Sequence, residues 1–150
     1  MKILMVCLGN ICRSPMAEGI MRRKINERGL KIEVDSCGTA AYHIGDPPDI
    51  RAQKTIRNHQ NDISQLRGRQ FQISDFDKFD IIFTMDEDNY HDIISLARTS
   101  EDKNKVTMIL NTLYPGENIP VPDPYYGELE DYEENYKTLE LACNKILDDL

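Results

Sequence analysis

Cys7 precedes Arg13 by six positions, and the stretch they bracket reads Cys7-Leu8-Gly9-Asn10-Ile11-Cys12-Arg13-Ser14, with Pro15 next. A thiol and a guanidinium around a Gly-Asn pair are the parts needed to hold and attack one small oxyanion. Upstream, Lys2 to Val6 (KILMV) is an apolar run without strict alternation, as expected of a buried strand in a parallel sheet. Downstream, Ser14-Pro15 reads as a helix start, with Ser14 at the N-cap and Pro15 at the first helical position. The free N–H groups of a first helical turn attract an anion. Gly9 and Asn10 are the residues best able to take positive φ, so the loop can curl with its amides inward. Arg13 adds a planar fork for two phosphate oxygens. Helix end, amides and guanidinium all favour the Cys7 thiolate over its thiol. A thiolate beneath a bound phosphate can attack phosphorus in line and form a phosphocysteine. The competing reading makes Cys7 a small buried hydrophobe at a strand end. A Walker-type nucleotide loop is not supported, because no Gly-Lys-Ser/Thr follows.

Phosphate esters release an alkoxide or phenolate slowly without a proton donor, and Asp123, between Pro122 and Pro124, is the best candidate. The flanking prolines restrict the backbone around it. Composition alone favours a plainer role, a turn residue in a Pro-rich loop. Tyr125 and Tyr126 follow directly and could wall a pocket for a flat ring, or stand as exposed loop tyrosines.

These residues need a frame. Strands are expected at Lys2 to Val6, Lys31 to Asp35, Asp80 to Met85 and Val106 to Leu110. Helices are expected after Ser14, stopping near Gly29, from about Ile50 to His59, after a cap at Asp86, and at the C-terminal end. That last helix carries Tyr132, Tyr136, Leu139, Cys143, Ile146 and Leu150 on one face. Loops are expected at Tyr42 to Asp49 and from Asn111 to about Leu129. The alternation predicts one α/β domain over residues 1–150: a four-stranded parallel sheet with helices on both faces, and the phosphate-binding loop after the first strand. In such sheets sites form beyond the carboxyl ends of the strands.

The chain has 150 residues and a formal net charge of -8, from 26 acids against 18 bases, which argues against a nucleic-acid partner. A local positive site can still sit in an acidic protein. The four cysteines lack zinc-ligand spacing and there is no CxxC pair, so no metal and no cofactor is expected. Reduced thiols, no export signal at the N-terminus and no apolar run of membrane-spanning length suggest a cytoplasmic protein with no membrane partner. Cys12 is either an inert buried thiol or a resolving partner for Cys7. Cys143 and Cys37 read as structural. The basic run Arg22-Arg23-Lys24 reads as a solvated helix face before a steering patch.

Cys7 to Pro15, CLGNICRSP, resembles the signature of low-molecular-weight protein tyrosine phosphatases, and Asp123 to Gly127, DPYYG, resembles that family's general-acid loop. The likeness extends to Val34-Asp35-Ser36, to Gly45 through Asp49 and to Met85-Asp86 through Asn89, in the family's order. It implies hydrolysis of phosphotyrosine, with Cys7 as nucleophile, Arg13 as phosphate clamp and Asp123 as general acid, then base. The substrate would be a phosphotyrosine-bearing protein or peptide, and inorganic phosphate the product. Leu8, Gly9, Asn10, Ile11, Cys12 and Ser14 would form the phosphate loop, with Ser14 bonded to the Cys7 thiolate. Asn10 would hold the loop rigid and Ser36 would brace Asn10. Tyr42, Tyr125 and Tyr126 would line the substrate pocket. One departure stands out: Leu66-Arg67-Gly68-Arg69-Gln70 lies where the family often has His-x-Ala-Arg-Gln, and Leu66 cannot make the hydrogen bond of that buttressing His.

Two related chemistries share this scaffold. Arsenate reduction needs a further cysteine pair, expected after the third strand, and Ile81 to Arg98 contains no cysteine. The phosphoarginine branch carries Thr at the position of Ile11. An apolar Ile11 leaves room for a phenyl ring and favours phosphotyrosine.

Overall fold

A computed structural model describes residues 1–150. The chain runs β1 (Lys2–Cys7), α1 (Arg13–Glu27), β2 (Glu33–Gly38), α2 (Ile50–Asn58), α3 (Asp75–Lys78), β3 (Ile81–Thr84), α4 (Glu87–Ser95), α5 (Ser100–Asn104), β4 (Val106–Met108), a 3-10 turn (Ile109–Thr112) and α6 (Leu129–Asp148). All strands are parallel, in the order β2-β1-β3-β4.

The unalternating apolar run of β1 is explained by burial on both faces. Ile3, Met5 and Cys7 enter one core with Met16, Ile20, Ile56, Leu139 and Ile146, under α1, α2 and α6. Leu4 and Val6 enter the other with Phe76, Phe79, Ile82 and Ile93, under α3 and α4. Helices therefore cover both faces, as the alternation of elements predicts. The direction of winding reverses between β1 and β3, and the crevice beyond their carboxyl ends is where such sheets bind ligands.

Several boundaries differ from the sequence reading. β2 runs to Gly38, because it pairs with all of β1 from Lys2↔Glu33 to Cys7↔Gly38. Pairing carries Ser36, Cys37 and Gly38 into a strand their propensities do not favour. β4 ends at Met108, and the buried Ile109 and Leu110 turn into the 3-10 segment. The short helices α3 and α5 lack the length for a periodic signal. α6 ends at Asp148, so Leu150 leaves the apolar stripe and is exposed. No helix is long and apolar enough to cross a membrane.

Candidate active site

The turn from β1 to α1 departs from the expected cap. α1 begins at Arg13, with Cys12 at the N-cap position and no side-chain cap. Ser14 lies inside the first turn and its hydroxyl faces inward, 3.0 Å from Cys7 Sγ. The missing cap leaves the first-turn amides without a side-chain acceptor, which suits an anion site. Only one of the two residues expected at positive φ adopts it. Asn10 sits at φ 57°, while Gly9 does not take a left-handed conformation. Space at Gly9 is tight, since a Cβ there would come within 3.1 Å of the His43 ring.

Asn10 is buried and holds the loop through three directions. Its Nδ2 donates to Ser14 Oγ at 2.8 Å and to Ser36 Oγ at 2.9 Å. Its Oδ1 accepts from the Arg69 backbone N–H at 3.0 Å. That last contact answers the departure at Leu66, which packs against the core instead of bonding the loop. The backbone beside Arg69 pairs with β2 by Gly38 N–H to Arg69 O at 2.8 Å. Gly38 is required where it stands, because a Cβ would come within 2.7 Å of Leu8 O.

Arg13 is only 2% exposed, and its charge is matched from two other elements. Nη1 donates to Asp86 Oδ2 at 2.7 Å and to Val121 O at 3.0 Å, and Nη2 lies 3.5 Å from Asp123 Oδ2. Burial pulls the guanidinium down, but Cys7, Asp86 and Asp123 outweigh it and its pKa is raised, so Arg13 remains charged. Asp86, expected only to cap a helix, does both jobs: its other oxygen accepts from Asn89 N–H at 2.8 Å. Its position after β3 was the available signal, since that turn shares the crevice with the turn after β1.

These elements enclose a pocket of about 240 Å³. Its floor is Cys7, Gly9, Ile11, Cys12 and Arg13, with Leu8, Tyr42, His43, Asp123, Tyr125 and Tyr126 around it. Every candidate residue read from the sequence lies in this lining except Asn10, Ser14 and Ser36, which stand behind it in the hydrogen-bonded chain described above. His43 also lines the pocket and is bonded through Nδ1 to Asp46 at 3.1 Å. Arg51 was also missed. It pairs with Asp49 at 2.9 Å, donates to Tyr125 O at 2.8 Å and Gly127 O at 3.1 Å, and stacks over the Tyr125 and Tyr132 rings. It thereby ties the loop after Asp123 to the start of α2. The Cys12 thiol, pushed up to about 12 by burial, contacts the Tyr132 hydroxyl at 3.3 Å. Arg22, Arg23 and Lys24, expected on a solvated helix face, are all half-buried and each is paired with a carboxylate, Glu18, Glu27 and Glu140.

The family model described as low molecular weight phosphotyrosine protein phosphatase matches residues 2–150. A putative low molecular weight protein-tyrosine-phosphatase of Synechocystis sp. is 44% identical, covering 100% of this chain and 96% of that protein. The protein tyrosine phosphatase of Entamoeba histolytica superposes with a TM-score of 0.93 at 36% identity, covering 99% of this chain and 96% of the other. YwlE arginine phosphatase superposes with a TM-score of 0.90, covering 100% of this chain and 95% of the other, but at 23% identity that likeness is one of fold alone. A family match over nearly the whole chain, on a site with these contacts, means that this chain belongs to the low molecular weight phosphotyrosine protein phosphatase family.

Proposed function

We propose that this protein hydrolyses phosphotyrosine in proteins or peptides through a phosphocysteine at Cys7. The observation that carries the reading is the convergence of Cys7, Arg13 and Asp123 on one pocket with tyrosine walls. The phosphoryl group sits over Cys7, with its equatorial oxygens held by Arg13 and the loop amides. The Cys7 thiolate attacks phosphorus as the bond to the tyrosyl oxygen breaks, and Asp123 delivers its proton to that oxygen. The Asp123 carboxylate then takes a proton from water, the resulting hydroxide attacks the phosphocysteine, and phosphate leaves with the Cys7 thiolate restored. Arg13 acts most strongly when the three equatorial oxygens flatten in the transition state.

The apolar Ile11 on the pocket floor and the ring of Tyr125 suit a phenyl group better than a guanidinium, which favours phosphotyrosine over phosphoarginine. Cys37 and Cys143 are fully buried outside the pocket, which is poor placement for the thiol relay of an arsenate reductase. A site that depends on a reduced thiol suits the reducing cytoplasm.

The test is a turnover panel of phosphotyrosine, phosphoserine and phosphoarginine peptides, and arsenate with thiol reductant, run on wild type and Cys7→Ser. The expected outcome is hydrolysis of phosphotyrosine, unaffected by EDTA, abolished in Cys7→Ser with phosphate binding kept. Substantial turnover by Cys7→Ser, or a preference for another member of the panel, overturns the reading.

A further inference from the structure

Glu18 lies on α1, one turn beyond the phosphate loop, with its side chain only 3% exposed. Burial raises its pKa, the Ser36 hydrogen bond and the Arg22 charge draw it back, and Asp35 adds to the rise. A carboxylate in such a place costs stability unless it is well partnered. Its partners lead to the nucleophile. Oε2 accepts from Arg22 Nη2 at 2.5 Å, and Arg22 also donates to Val34 O at 3.0 Å. Oε1 accepts from the Ser36 hydroxyl at 2.6 Å.

The Arg69 N–H and the Glu18 carboxylate fix the direction of the bonds among Ser36, Asn10 and Ser14. The Arg69 backbone N–H can only donate, so the Asn10 amide must turn its oxygen toward Arg69 and its NH2 toward the serines. A carboxylate can only accept, so the Ser36 proton points to Glu18, and its oxygen is free to accept from Asn10. The second Asn10 proton goes to Ser14. Ser14 Oγ is then an acceptor toward Asn10, and its own proton has two destinations: Cys7 Sγ at 3.0 Å or Cys37 O at 3.4 Å. The shorter contact leads to the sulfur.

We propose that Glu18 is a positioning residue for Cys7: its carboxylate accepts the Ser36 hydrogen bond, which leaves the Ser36 oxygen to accept from Asn10 and so steadies the Asn10 amide from which the Ser14 hydroxyl is aimed at the thiolate. The inference deepens the proposed hydrolysis and rests on Cys7 being its nucleophile. The carboxylate gives Arg22 and Ser36 one oxygen each. In Glu18→Gln, the amide oxygen stays with Arg22 and its NH2 meets Ser36, whose own proton loses its acceptor and turns toward Asn10. The Ser36–Asn10 contact loosens, and with it the aim of Ser14.

The test measures the rate at which iodoacetate alkylates Cys7 at mildly acidic pH, read by mass of the modified peptide, together with kcat/KM. Wild type, Glu18→Gln, Ser36→Ala and the double variant are compared. Glu18→Gln is expected to slow alkylation about fivefold, the effect of one hydrogen bond, with KM little changed. Ser36→Ala is expected to do the same, and the double variant no more than Ser36→Ala, because the cut chain leaves Glu18 nothing to act through. A wild-type alkylation rate in Glu18→Gln, or losses that multiply in the double variant, overturns the inference. If Glu18→Gln does not fold, Arg22→Met decides from the more exposed side of the same carboxylate: about a twofold slowing is expected, and no change overturns the inference. Failure of the underlying reading looks different: wild-type enzyme fully alkylated at Cys7 would retain turnover.

Discussion

The loop from Cys7 to Ser14 and the loop from Pro120 to Gly127 line the same pocket and are held in different ways. In the first, Asn10, Arg13 and Ser14 are all buried, and each is fixed by hydrogen bonds to other elements. In the second, the Asp123 side chain is 41% exposed and Tyr126 is 95% exposed. Its fastenings run through its backbone. Val121 N–H donates to Met85 O at 2.8 Å, Asn135 donates to Pro122 O at 2.8 Å, and Arg51 holds the carbonyls of Tyr125 and Gly127. The difference matches two chemical demands. Donors around a transition state act best when they need no rearrangement, so the phosphate loop is fixed beforehand. In the proposed mechanism Asp123 must admit a substrate and later a water, which suits a side chain open to solvent on an anchored backbone.

The largest test of this contrast acts on the open side. Asp123→Asn is expected to slow phenyl phosphate by about a hundredfold, the usual scale of one general acid, and to spare an ester of a very acidic phenol. Equal losses across a leaving-group series would separate Asp123 from proton transfer.

On the fixed side, Arg13→Lys is expected to lose more than about tenfold in kcat/KM, or ~1.4 kcal/mol of transition-state stabilisation, whatever the leaving group. An ammonium cannot reach Asp86, Val121 O and two phosphate oxygens at once. A near-normal value would show that charge alone suffices.

A smaller effect is expected at the anchor of the open loop. Arg51→Met should lower kcat/KM by roughly threefold for poor leaving groups and hardly at all for good ones, because Arg51 hydrogen-bonds the loop around Asp123 and makes no hydrogen bond to the phosphate loop. A loss independent of leaving group would place Arg51 in binding instead.

The smallest effect on turnover is expected at Cys12, whose thiol is held protonated by burial. Cys12→Ser should keep nearly full activity and differ only after peroxide. Oxidation of Cys7 to a sulfenic acid, then displacement of water by the Cys12 sulfur, would protect wild type as a disulfide that thiol reductant reopens. Recovery should be good in wild type and poor in Cys12→Ser. Identical recovery would make Cys12 a packing residue.

Much of this molecule is legible along the chain, because its strongest signals are local. The apolar run of β1, the Gly-Asn turn, the Asp caps of α2 and α4 and the apolar stripe of α6 each depend on neighbours within one or two turns. Cys7 and Arg13 could be singled out from residue type and context, whereas for Asp123 composition favoured a turn and only the resemblance of DPYYG to a family motif pointed to an acid. The tertiary structure decided what local pattern cannot carry. Ser14 reads as a cap but turns inward to the Cys7 sulfur, because the loop curls around Asn10. Asp86 reads as a cap and also holds Arg13, because β3 lies beside β1 in the sheet. Leu66 offers the loop no hydrogen bond, and the Arg69 backbone N–H holds Asn10, a bond that depends on chain path and not on side-chain identity. Glu18 reads as one more acid on a helix. It becomes a buried anchor only because β2 brings Ser36 against it, a proximity set by strand pairing 18 residues away in sequence.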